Sequence, residues 1–221
     1  MSTKPMTIGA ILYPGFEMLD MFGPLEMFSM LGTEQANILM ISETGEPVNA
    51  AIAENIGSGP RVMADHSFAD APALDIILLP GGFGTMPELE NEAMLRFLSE
   101  RAEEAQFVCS VCTGSLLLAK AGLLDNRRAT TNKQFFSLNQ LVPGPIEWIK
   151  EARWVEDGKM LTSSGVSAGM DMALALIAKL HGTEAAELAA NSAEYTWHRD
   201  AGTDPLVEHL DAGMAALAGA E

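Results

Sequence analysis

The chain has 221 residues, 48% of them hydrophobic, and a formal net charge of −17 from 13 basic and 30 acidic side chains. That length suits one large α/β domain or two small ones, with apolar residues enough for a full core. The negative balance disfavours a nucleic-acid partner, whose phosphates it would repel, and no apolar run reaches the ~18 residues of a membrane span.

Met1-Ser-Thr-Lys-Pro leads straight into a strand-like segment without a signal-peptide pattern. Residues 7–13 predict a first buried strand, ended by Pro14 and Gly15. Residues 16–22 predict one short helical turn. Pro24 then suits the first position of a separate helix over 25–31, because its missing N–H costs nothing there. Asp20 falls just past the first strand. It stands either at the rim where open parallel sheets bind ligands or at the start of the following helix.

Residues 36–41 predict the second strand, and the glycines and prolines of 43–66 predict extended or hairpin segments. Residues 75–80 predict another fully buried strand, running into Gly81-Gly82-Phe83-Gly84-Thr85. Glycines at a strand's C-terminal end leave N–H groups facing a ligand, which would make half of an oxyanion hole. The same glycines also suit a plain turn. A phosphate loop is a poor fit, because no Lys–Ser/Thr pair follows. Residues 88–105 predict a helix, with an acidic start and with Arg96 and Arg101 nearer its end.

The stretch from Gln106 to Leu118 carries the strongest chemical signal. Residues 107–111 predict a buried strand and Ser115 onward a helix, with Cys112, Thr113 and Gly114 between them. A strand that turns directly into a helix around a nucleophile-type residue has the logic of a nucleophile elbow. At such a position Cys112 would have a strained backbone and a pKa below the free value of ~8.5, while Cys109 inside the strand would stay inert. The plainer reading is an ordinary buried cysteine at a strand end. Two cysteines three positions apart make neither a disulfide framework nor a zinc site, and a reducing cytoplasm is the expected location.

Gly122 predicts the end of that helix. Residues 129–131 predict a short strand, and 133–141 a helix stopped by Pro143-Gly144-Pro145. Residues 153–156 and 160–163 predict a hairpin turning at Asp157-Gly158. Ser163 to Gly169 is a small-residue loop whose Ser167 suits the cap of a helix over 168–180; a further helix is predicted over 184–195. Strands alternate with helices, and no linker composition divides the chain. The expectation is a single domain, residues 1–221: a doubly wound, mostly parallel α/β sheet with helices on both faces.

Pro80-Gly-Gly-Phe-Gly, Ser110-Val-Cys-Thr-Gly-Ser, Ala121-Gly-Leu-Leu, Arg128-Ala-Thr-Thr and Thr162-Ser-Ser-Gly-Val-Ser-Ala-Gly-Met-Asp occur in the order and spacing of the ThiJ/PfpI superfamily. These proteins are flavodoxin-like relatives of class I glutamine amidotransferases. Tyr13-Pro-Gly-Phe-Glu-Met-Leu-Asp-Met-Phe-Gly-Pro resembles the branch holding isocyanide hydratases and the amidotransferase-like domains of certain transcription regulators. The likeness runs over roughly residues 6–200, and the ordered set of motifs is far more specific than any one of them.

The resemblance implies that Cys112 is the nucleophile and Asp20 the acidic residue that hydrogen-bonds it. It implies that the N–H groups of Gly82 and Thr113 bind a developing anion. Gly81, Phe83, Ser164 and Gly165 are the expected substrate-binding positions. Two departures stand out. Peptidase-like members carry His directly after the cysteine, where this chain has Thr113; many relatives carry His after Arg-Ala-Thr-Thr/Ser, where it has Asn132. A Cys–His pair for acyl transfer is therefore not expected. Of the four histidines only His198 lies in a stretch within plausible reach of a site.

The implied chemistry is hydration of a small electrophile such as an isocyanide, with no metal or organic cofactor. Two alternatives remain: glyoxalase or deglycase chemistry on 2-oxoaldehydes, and a cysteine sensor oxidised at Cys112. A transcription regulator would need a helix-turn-helix domain, which the sequence past Asp200 is too short to supply. Members of the superfamily usually dimerise, and Met18, Met21, Phe22 and Met27 beside the site would either face a partner or fill the core.

Overall fold

Every apolar run read as a buried strand joins one sheet. The computed structural model describes residues 4–219. In chain order the elements are β1 (Met6–Leu12), α1 (Met18–Ser29), β2 (Ala36–Ser42), β3 (Val48–Asn49), β4 (Arg61–Val62), β5 (His66–Ser67), β6 (Ile76–Leu79), α2 (Thr85–Glu88) and α3 (Glu92–Glu104). Next come β7 (Phe107–Ser110), α4 (Gly114–Lys120), β8 (Arg128–Ala129), β9 (Glu147–Trp148), β10 (Trp154–Asp157), β11 (Met160–Ser163), α5 (Ala168–His181), α6 (Thr183–Ser192) and α7 (Ala212–Ala218).

The main sheet has the order β10-β11-β7-β6-β1-β2-β5. All neighbours are parallel except the β10–β11 hairpin. Ile8, Ile76, Ile77, Leu78 and Val108 are fully buried, because helices cover both faces of a parallel sheet and leave no polar side for alternation. One helical layer packs α1 against α5 and α6; the other packs α2 and α3 against α4. Chain order reverses beside β1, with β2 on one side and β6 on the other. That is a topological switch point, where the carboxyl ends of neighbouring strands open a crevice. The register Ala10–Leu78 and Leu78–Cys109 brings the ends of β1, β6 and β7 level, so the segments carrying Asp20, Gly81 and Cys112 emerge at one rim.

Three local expectations are corrected. Pro24 does not begin a helix: α1 runs unbroken from Met18 to Ser29 with Pro24 inside it. A Cβ on Gly23 would meet Met170 Cγ at 2.9 Å, so α1 presses closely on α5, and that packing outweighs the lost backbone hydrogen bond. The segment expected as a helix over 133–141 is a 3-10 helix over Phe136–Leu141. Ser167 does not cap α5; its Oγ instead accepts from Arg153 Nη2 at 3.3 Å.

Candidate active site

Cys112 follows β7 with a φ of +58°, the left-handed region that non-glycine residues rarely adopt. Neighbours on all sides hold it there. Its N–H is shared between the carbonyls of Ser163 (3.2 Å) and Ser164 (3.1 Å). Its carbonyl accepts from Ser115 Oγ (3.1 Å) and Thr131 Oγ1 (3.0 Å). The strain therefore falls on the cysteine itself. Gly114 serves a different purpose: a Cβ there would lie 2.5 Å from the Pro80 carbonyl oxygen, so glycine is what lets α4 start against the end of β6.

Asp20, in the first turns of α1, is fully buried. Its Oδ2 accepts from the Gly81 N–H at 2.8 Å. Oδ1 has no hydrogen-bond partner among the described residues, so the expected hydrogen bond between Asp20 and Cys112 is not made in this arrangement, although the two groups are near enough for the carboxyl's charge to act on the thiol. Burial pushes the Asp20 pKa up to about 8, the Gly81 N–H partly opposes this, and the negative charge of Glu17 adds to it. Cys112 moves the same way. Burial, then the charge of Asp20, push its thiol above the usual range, while Asn132 and Thr113 favour the thiolate. The expected lowering of the Cys112 pKa is thus overturned, because burial outweighs the donors around the sulfur. The two groups resist carrying two charges at once.

Asn132 stands where the family resemblance would have placed a histidine. Its Nδ2 donates to Cys112 Sγ at 3.0 Å, and its Oδ1 accepts from the Phe135 N–H at 3.1 Å. The second bond fixes which end of the amide faces the sulfur. A Cβ on Gly165 would stand 2.4 Å from Asn132 Nδ2, so glycine at 165 makes room for this donor. The sequence flagged the position but read the change as a loss, not as a replacement donor.

Thr113, the residue after Cys112, belongs to a chain of hydrogen bonds. The Gly82 N–H donates to Thr113 Oγ1 (3.1 Å); Thr113 and Thr85 hydroxyls are 2.9 Å apart, Thr85 and Tyr13 hydroxyls 3.1 Å. Tyr13 Oη donates to the Pro80 carbonyl at 2.7 Å. Tyr13's donation to the Pro80 carbonyl turns the Thr85 hydroxyl toward Tyr13 and the Thr113 hydroxyl toward Thr85, while the Gly82 carbonyl, 3.4 Å from Thr113 Oγ1, is a second, longer acceptor for the Thr113 proton. Gly82's N–H is engaged with Thr113 Oγ1, and both the N–H and the side chain of Thr113 act on the sulfur.

A cavity of about 300 Å³ opens over Cys112, lined by Glu17, Gly82, Phe83, Met86, Thr113, Asn132, Phe135, Leu138, Val166, Met214 and Leu217. Of the expected substrate-binding positions, Phe83 lines it. Gly81 lies behind, bonded to Asp20; Ser164 and Gly165 lie behind Cys112 and Asn132. His198 is elsewhere, with Nε2 3.0 Å from the Thr203 carbonyl. Met86, Phe135, Leu138, Met214 and Leu217 carried no signal in sequence, since an apolar side chain that will line a cavity looks like one that will fill the core; Glu17, the charged member of the lining, stood in the Tyr13–Pro24 motif without a role. Among the described residues no group of three or more His, Cys, Asp and Glu is placed to hold a metal ion, and no helix is long and apolar enough to cross a membrane.

The model of the DJ-1/PfpI family matches residues 6–179. This chain belongs to the DJ-1/PfpI family. An isonitrile hydratase of Pseudomonas putida is 36% identical to this DJ-1/PfpI protein over 192 residues, 86% of this chain and 78% of that one. The transcriptional regulator GbdR of Pseudomonas aeruginosa is 31% identical over 185 residues, 82% of this chain but 48% of the regulator. The crystal structure of a ThiJ/PfpI family protein from Pseudomonas syringae superposes with a TM-score of 0.81 at 29% identity, covering 99% of this chain and 88% of that one. A flavodoxin-like doubly wound fold, as expected from the sequence, is thus the fold of the family.

Proposed function

We propose that this protein hydrates small isocyanides to N-formyl amides, with Cys112 as nucleophile and Asp20 as the acid that relays the proton. The observation that carries the reading is the buried Cys112–Asp20 pair under a mostly apolar cavity whose lining includes Glu17, Thr113 and Asn132 but no histidine. An isocyanide carbon accepts a nucleophile and a proton at the same atom. Sγ bonds to that carbon, and the Asp20 proton passes to it, forming a thioimidate (R–N=CH–S–Cys112). The Asp20 carboxylate then takes a proton from water as its oxygen attacks the same carbon. The C–S bond breaks, nitrogen keeps one water proton, and R–NH–CHO leaves. Asp20 and Cys112 recover between them the proton they began with.

Attack on an aldehyde, by contrast, builds charge on oxygen and calls for free N–H donors. The engagement of the Gly82 N–H with Thr113 Oγ1 favours the isocyanide over a 2-oxoaldehyde. The 36% identity to an isonitrile hydratase supports the same reading. We further propose a symmetric homodimer through α1, where Met18, Leu19 and Phe22 are exposed while Met21 and Met27 fill the core, and a cytoplasmic setting that keeps both cysteines free.

The test is to add an alkyl isocyanide, methylglyoxal or hydrogen peroxide separately to the pure protein. Catalytic formation of a formamide from the isocyanide is the expected result. Turnover of methylglyoxal alone, or stoichiometric oxidation of Cys112 with no turnover, would replace the reading with one of the other two.

A further inference from the structure

The family match ends at residue 179, yet the outer wall of the cavity comes from beyond it. After α6 the chain returns across the rim. Asp204, almost fully buried, lies 3.5 Å from Arg153 Nη1 and 3.9 Å from Lys133 Nζ, both buried. Its N–H donates to the Glu151 carbonyl at 2.8 Å. Asp211 then pins the start of α7. Its N–H donates to the Lys133 carbonyl (2.8 Å), and its Oδ1 accepts from the Ser137 N–H (2.7 Å). Gly213 lies flat on the Phe135 ring, where a Cβ would come within 2.6 Å. The segment that receives α7 is thus the one that carries Asn132 to the sulfur.

This docking turns Met214 and Leu217, three positions apart on one face of α7, into the cavity. Cys112 at the floor is 6% exposed, whereas Leu217 at the mouth is 47% exposed. Between them the walls are apolar: Phe83, Met86, Phe135 and Leu138. Any group attached to the atom that Cys112 attacks must extend along this wall toward α7.

We propose that Met214 and Leu217 are specificity-determining residues that set how long an apolar substituent the substrate carries. The inference rests on the hydratase reading only for the identity of the reacting group, so it is tested in two ways. The first is kcat/KM for n-alkyl isocyanides from methyl to octyl. The second is the rate at which n-alkyl maleimides of the same lengths label Cys112, which needs no turnover.

Leu217→Ala and Met214→Ala should shift both preferences toward longer chains, by about tenfold in the long-to-short ratio, the scale of one or two methylenes in an apolar pocket. Leu217→Trp should slow the long reagents and spare the short ones. Because Leu217 is half exposed, its variants keep the test available if Met214→Ala fails to fold. Rates that change equally at every chain length in both series would overturn the proposal. A length shift with maleimides in a protein that hydrates no isocyanide would keep the wall and discard the hydratase reading.

Discussion

At the residue scale the proposed chemistry turns on how Asp20 and Cys112 ionise together. Asp20 and Cys112 are both buried and both raised, the thiol remaining the weaker acid, so the first proton lost comes chiefly from Asp20, and the thiolate is reached when the remaining proton passes from Sγ to that carboxylate. With Asp20 pushed up to about 8, the single-anion form that can attack grows as pH rises toward that value. Alkylation of Cys112 should therefore increase about tenfold per unit below it and level off above it. A flat rate between pH 6 and 9 would contradict the pairing. Stability has the opposite sign: a carboxyl raised above its unfolded pKa of ~3.9 favours the fold at low pH and withdraws that support as pH climbs through about 8.

Asn132 is the second residue to test. A hydrogen bond to a charged group contributes about 1.5–3 kcal/mol, so Asn132→Ala should slow alkylation by about tenfold or more at neutral pH. Gly165→Ala should produce the same loss with Asn132 still present, because the added methyl takes the place of Nδ2. Labelling rates of the two variants, with circular dichroism to confirm the fold, would check this. A normal rate in Gly165→Ala would mean that the amide is not needed where it sits.

At the scale of elements, the strands were legible because burial on both faces writes each as a short unbroken apolar run, as in Ile76–Leu79 and Phe107–Ser110. The elbow was legible because Cys112 sits where a strand must turn into a helix. Less was legible where tertiary contact overrides local preference. Pro24 lies inside α1 because Gly23 lets α5 approach. α7, an alanine-rich turn of chain, faces the cavity only because Asp204 and Asp211 dock it. The helix predicted from residue 88 begins instead at Glu92, after Asn91, whose Oδ1 accepts from the N–H groups of Ala93 (3.0 Å) and Met94 (3.2 Å). Asn91→Ala removes this cap and should cost about 1 kcal/mol. Thermal unfolding would read it as a drop of ~2–4 °C, and an unchanged midpoint would show that the cap contributes nothing.

At the scale of the whole molecule, the doubly wound sheet makes one crevice from segments distant in sequence: Asp20 after β1, Gly81 after β6, Cys112 after β7 and Ser164 after β11. The exposed Met18, Leu19 and Phe22 on α1 border the same rim. Light scattering should give about twice 23.6 kDa at micromolar concentration, and Phe22→Asp should bring it down to the monomer value; a wild-type monomer would remove the proposed interface.

In the proposed relay a protonated Asp20 delivers its proton while Cys112 attacks, and one variant separates those two acts. Asp20→Asn keeps a hydrogen-bond donor beside the sulfur but has no proton to transfer. Isocyanide hydration and Cys112 alkylation should be measured side by side in this variant and the wild type. Hydration should fall by about 10²–10⁴-fold, the usual weight of a general acid, while Cys112 still alkylates. Asp20→Asn hydrating an isocyanide at the wild-type rate would contradict the proton relay and leave Asp20 a structural residue.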